Sequence, residues 1–112
     1  INRKEVLTYS EIVIYNSETK KFSKKFEESM IENKFISKSQ GISDFLIDGS
    51  LMVEEQNHGR ILFFDASGNL EWEYVNKANN GSVYLLSWSR IINDQKVIKN
   101  FKDKVKNKKC KK

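Results

Sequence analysis

The side chains that could do chemistry gather in one short stretch. Glu54 and Glu55 are followed by His58-Gly59-Arg60, which sets the only imidazole two residues from a guanidinium. A guanidinium fork can hold a phosphate, sulfonate or carboxylate through two parallel hydrogen bonds. At the start of a strand the same arginine can instead cap the chain or pair with Glu54 or Glu55. An imidazole can serve as nucleophile, acid or base, but a histidine beside glycine also reads as a turn residue that tolerates an unusual φ. Glu54, Glu55 and Asp44 suggest a carboxylate pair, yet strand alternation sends Glu54 and Glu55 to opposite faces, so no acid–base pair is assignable. Trp88 and Arg90 share one face of an apolar stretch, either as a cation–π pair or with Trp88 in the core. Cys110, set among lysines, reads as an exposed thiol. One His and one Cys exclude multi-His metal ligation, a cysteine zinc site and an internal disulfide. No metal and no cofactor is expected.

The elements that must position these residues follow a period of two. Residues 11–15 are β-branched and aromatic, 16–20 carry turn chemistry, and 21–26 resume as a strand, which makes a hairpin. Residues 27–39 read as a connecting loop with room for one helical turn, anchored by Met30, Ile31, Phe35 and Ile36. Residues 42–47 and 50–54 form a second hairpin around Asp48-Gly49, a type I′ or related turn signal. Asn57-His58-Gly59 punctuates, residues 60–64 form a third strand, and Asp65-Ala-Ser-Gly68 turns into a fourth at 69–75, with Leu70, Trp72 and Tyr74 on one face. These four strands make one antiparallel meander. Residues 82–92 are more uniformly apolar and are expected to form a further, closing strand. Hairpin 11–26 and hairpin 60–74 resemble each other at an offset of about 49 residues, and a four-stranded unit repeated at 40 to 50 residues is how propeller blades read.

The net charge of +5 is unevenly placed. Residues 93–112 hold nine lysines against Asp94 and Asp103, or +7, leaving 5 − 7 = −2 for residues 1–92. Such a tail is either a solvated terminus or a patch that attracts phosphates or anionic lipid. It has no arginine, so sequence-specific nucleic-acid recognition is disfavoured. Val97, Ile98, Phe101 and Val105 fall near helical spacing and predict a short amphipathic helix. No apolar run reaches the ~20 residues that span a bilayer. The sequence opens on Ile1, as an excerpt or a processed product would.

From Gly49 to Asn76 the chain resembles the arylsulfotransferase family of β-propellers. Blades of that family look like G-N-x-L-I-x-E-x-x-x-G-R-I-x-E-x-x-x-x-G-x-x-V-W-E-Y-V-N, and Gly49, Glu55, Gly59, Arg60, Ile61, Gly68, Trp72, Glu73, Tyr74, Val75 and Asn76 match. Ser10-Glu-Ile-Val-Ile-Tyr-Asn-Ser-Glu-Thr-Lys20 looks like the outer hairpin of the preceding blade. The resemblance implies sulfuryl transfer from a phenolic sulfate ester to another phenol, with a transiently sulfated histidine and an arginine in a central channel. Arg60 falls where the family places a channel arginine, while His58 sits in a turn position where relatives commonly carry Asn; Arg60, His58 and Ser39 are the candidate anion- or substrate-binding residues. Ser39 falls where the family carries a histidine, and a serine cannot replace that imidazole without a base beside it. It also implies a periplasmic or extracytoplasmic location.

The expected architecture is therefore all-β: antiparallel four-stranded meander blades forming a partial, C-terminal β-propeller over residues 1–92, and a Lys-rich, helix-capable tail over 93–112. A propeller needs at least four blades of about 40 residues, so this chain cannot close a ring alone. Its expected partners are the remaining blades of a longer chain or further copies of itself, since open sheet edges invite pairing, together with a phenolic or sulfate-ester ligand. The alternative function is a non-catalytic propeller segment for ligand or protein binding.

Overall fold

A computed structural model describes residues 9–39 and 41–110. Strands β1 (Ile12–Asn16) and β2 (Lys21–Lys25) pair as an antiparallel hairpin, and the short helix α1 (Glu27–Glu32) follows. Strands β3 (Gly41–Phe45), β4 (Leu51–Glu55), β5 (Arg60–Phe64) and β6 (Leu70–Val75) then form an antiparallel sheet in chain order, the expected meander. The first strands of the two similar hairpins start 60 − 12 = 48 residues apart. The chain is predominantly β, and its radius of gyration of 17.6 Å exceeds the ~13 Å of a compact chain this long.

The pairing register assigns each side chain to a face. Phe45, Leu51, Phe64 and Leu70 lie opposite one another across the four strands, as do Ser43, Val53, Leu62 and Glu73. This face meets α1 and the connector behind it: Met30, Phe35, Leu51, Val53, Leu62 and Phe64 form the buried core, with Tyr9, Ile12 and Phe26 packed against it. Phe26 bridges the units, its ring 6.2 Å from Phe64 and 6.0 Å from Phe45. The connector is thus a functional part of the core rather than a plain loop, because Met30 and Phe35 supply the apolar cover the sheet lacks on that side.

One expectation is refined and two are corrected. Of the turns expected at Asp48-Gly49, type I′ or a related one, it is the related kind that forms, because type I′ needs positive φ at both central residues. Here only Gly49 is left-handed, at φ 87°, and its N–H returns to the Leu46 carbonyl while the Leu46 N–H donates to Ser50, a three-residue loop. Leu70 does not share a face with Trp72 and Tyr74. A bulge between Phe63 and Phe64 sets Leu70 opposite Phe64 but Trp72 opposite Phe63, where the two rings stack 5.3 Å apart.

The second correction concerns residues 82–92, which form no strand. Beyond a single bridge between Lys77 and Val83, their backbone bonds elsewhere: the Tyr84 N–H to the Asn76 carbonyl, the Leu86 N–H to the Gln56 carbonyl and the Ser89 N–H to the Glu54 carboxylate. Apolar composition favours a strand, but a strand also needs a neighbouring ladder, and these bonds replace it. Trp88, at φ 65°, breaks the extended course outright. The tail does form a helix, α2 (Gln95–Val105), whose first N–H groups are capped by the Asp94 carboxylate.

Candidate functional site

One end of the four-stranded sheet gathers the start of β3, the end of β4, the start of β5 and the end of β6, because Gly41, Glu55, Arg60 and Val75 lie opposite one another in the register. Between β4 and β5 a single 3-10 turn, Gln56–His58, ends at Gly59, whose φ of 58° reverses the chain. A Cβ at Gly59 would stand 1.9 Å from the Tyr84 carbonyl oxygen, so only glycine admits the incoming segment there.

Glu55 is the hub of this end. Its side chain is 1% exposed, and it accepts from the Arg60 Nε at 2.6 Å and from the Ile36 backbone N–H at 2.8 Å. His58 Nδ1 sits 2.9 Å from its Oε1. Burial alone would push the Glu55 carboxyl up, but the Ile36 N–H, His58 and Arg60 together outweigh it and hold the group below its ordinary value. The guanidinium is spoken for on every nitrogen: besides Nε, its Nη2 donates to the Asn33 carbonyl at 2.9 Å and its Nη1 to Glu73 Oε1 at 3.4 Å.

The residues singled out from sequence are therefore brought to one place in different states. Arg60 is mostly buried and joins Glu55, the carboxylate that sequence reasoning offers as one of two pairing choices. His58 is half exposed, at 52%, and its contact through Nδ1 makes Nε2 the second, lone-pair-bearing nitrogen whenever Nδ1 carries the proton. Ser39 donates to the Asn57 Oδ1 at 3.1 Å, next to His58 in the chain but without a base of its own. The cluster sets one guanidinium between the carboxyl groups of Glu55 and Glu73.

Glu54 occupies the opposite face, as alternation requires. It is 1% exposed and accepts from the Ser89 N–H at 2.7 Å, fixing the segment that follows β6. Beside it, Ile42, Gln56, Trp88 and Arg90 line a cleft of about 320 Å³. Trp88 is not core: it is 75% exposed, with the Arg90 guanidinium 5.6 Å from its ring. The roles of Ile36 and Ser89 carry no signal in the sequence, because both act through main-chain N–H groups. Among the described residues no three His, Cys, Asp or Glu side chains converge as a metal site requires, and no helix is long and apolar enough to cross a membrane.

No curated protein and no solved structure matches the chain. A sequence profile described as arylsulfotransferase (ASST) matches residues 2–77, more than half of the chain and the whole of both hairpin units that build the end just described. The chain belongs to the arylsulfotransferase family.

Proposed function

We propose that this chain is a segment of an arylsulfotransferase-like β-propeller, about one and a half blades with a Lys-rich tail, in which the Glu55 cluster fastens one blade end and the sulfuryl transfer of the whole protein is carried on other blades. The observation that carries this reading is the state of Arg60. With Glu55, Asn33 and Glu73 each taking one of its five N–H groups, the guanidinium is already committed to three protein acceptors, and a sulfonate would meet only the two N–H groups that remain. Its bonds reach the connector ahead of β3 and the neighbouring strand, the task of a clamp. The family match supports the wider assignment, and the half-exposed apolar face that carries Trp72 and Tyr74 is consistent with a further blade packed on it.

A second reading is favoured by one contact. The Glu55 carboxylate beside His58 Nδ1 orients a half-exposed imidazole, as a carboxylate does for a catalytic histidine. In that reading Nε2 attacks the ester sulfur, the sulfur–oxygen bond to the aryl group breaks and a phenolate leaves. A phenol oxygen then takes the sulfuryl group as the nitrogen–sulfur bond breaks, and the phenol's proton passes through solvent to the phenolate released first. Turnover of an aryl sulfate donor with a phenolic acceptor, measured on the longer protein that contains this chain, separates the two. The clamp reading expects His58→Asn to keep its rate within about twofold. A loss of more than about a hundredfold in a folded His58→Asn variant establishes the second reading instead.

A further inference from the structure

We infer that α2 is a docking element for an anionic lipid surface. At 100° per residue, Val97, Phe101, Val105 and Ile98 fall within an arc of about 100° on one side of the helix. None of them is buried: Val97, Phe101 and Val105 are 46%, 66% and 42% exposed. Lys102 and Lys104 flank the two edges of this arc, while Asp103 lies opposite it together with Lys96 and Lys99. That is the arrangement in which lysine stems lie along an apolar layer and their ammonium groups reach the headgroups. Residues 93–112 carry +7, supplied by lysine alone, and the attraction of a negative leaflet for such a segment grows with each lysine.

The same observations weigh against other occupants. A nucleic acid would satisfy the charge but leave the apolar arc in water, and arginine, the residue of bidentate phosphate contacts, is absent. A second copy of the helix would bring two segments of +7 together. Ahead of α2, Trp88 and Ile92 are also exposed, and an indole with one polar edge suits the boundary between headgroups and acyl chains. Eleven residues make a helix that is marginal in water, so an interface that takes up its apolar arc also stabilises its fold.

The test is co-sedimentation of the full chain with vesicles of phosphatidylcholine alone and of phosphatidylcholine with 30% phosphatidylglycerol, at low and high salt. The expected result is at least ~100-fold stronger partition onto the anionic vesicles, most of it lost in 0.5 M salt. Phe101→Glu, at a residue 66% exposed and outside the core cluster, should weaken that binding by more than about tenfold, and the double change Lys102→Gln, Lys104→Gln should weaken it comparably. Circular dichroism checks that each variant keeps its sheets. Equal partition onto both vesicle types overturns the inference, as does anionic binding that Phe101→Glu leaves unchanged. Binding to duplex DNA stronger than to anionic vesicles, or a dimer that Phe101→Glu dissolves without vesicle binding, overturns it in favour of those partners.

Discussion

Glu54 and Glu55 are neighbours in sequence, both buried, and serve opposite faces of the sheet: Glu55 accepts from the Ile36 N–H ahead of β3, and Glu54 accepts from the Ser89 N–H beyond β6. One dipeptide thereby fixes the chain arriving at the sheet and the chain leaving it. Each carboxylate is held in place by a main-chain donor some distance away in sequence.

Removing the two carboxylates should have different consequences. Glu55→Ala leaves Arg60 without its nearest anion and the Ile36 N–H without its acceptor, an expected loss of about 3 kcal/mol in global stability. Glu54→Ala should cost less, about 1.5 to 3 kcal/mol for a hydrogen bond to a charged group, and should loosen residues 82–92 first. Urea unfolding measures the totals, and amide exchange at Ser89 and Ile36 assigns them.

Acid should unfold the chain partly through Glu55. Its carboxyl titrates lower in the folded than in the unfolded chain, so the unfolded state binds more protons in that range and stability rises with pH. The contribution is fully present above the ordinary value of 4.5 and is lost as pH falls through the lower folded value. Unfolding midpoints between pH 3 and 7 should show this slope, and Glu55→Gln should flatten it while lowering the plateau.

Gly59→Ala should be among the costliest small changes. The new methyl meets the Tyr84 carbonyl, and the left-handed backbone adds its own penalty of about 1 kcal/mol. The outcome expected is release of residues 76–86, read as new protease cleavage there with the β3–β6 sheet intact. Wild-type protease resistance in Gly59→Ala would show that the Tyr84 approach does not form.

Open edges should make the isolated chain associate. β6 is exposed along its whole length and carries Leu70, Trp72, Tyr74 and Val75 at a sheet edge. Size-exclusion chromatography with light scattering should give masses above the 13.1 kDa monomer as concentration rises, and Trp72→Lys should reduce them. A clean monomer at high concentration contradicts this expectation.

The strands were legible because each is a short run bounded by turn residues: Arg60-Ile-Leu-Phe-Phe64, apolar and aromatic, lies between Gly59 and Asp65. The helix α2 was legible from the spacing of Val97, Phe101 and Val105. The course of residues 82–92 was not, since Val83, Leu85 and Trp88 have strand character but the outcome depends on whether a partner ladder lies beside them. The site was half legible. Arg60 pairing with a nearby glutamate follows from local sequence. That Glu55 also holds Ile36, and that Arg60 also holds Asn33, does not, because backbone groups look alike in every sequence.

The account rests on Arg60 acting as a clamp rather than as an anion holder, and a double-mutant cycle on Arg60→Ala and Glu55→Ala, run with and without an aryl sulfate ester, addresses it directly. The expected result is a coupling of about 2 kcal/mol or more between the two residues and no change in wild-type stability when the ester is added. Negligible coupling, together with an ester-dependent rise in stability that Arg60→Ala abolishes, would contradict it.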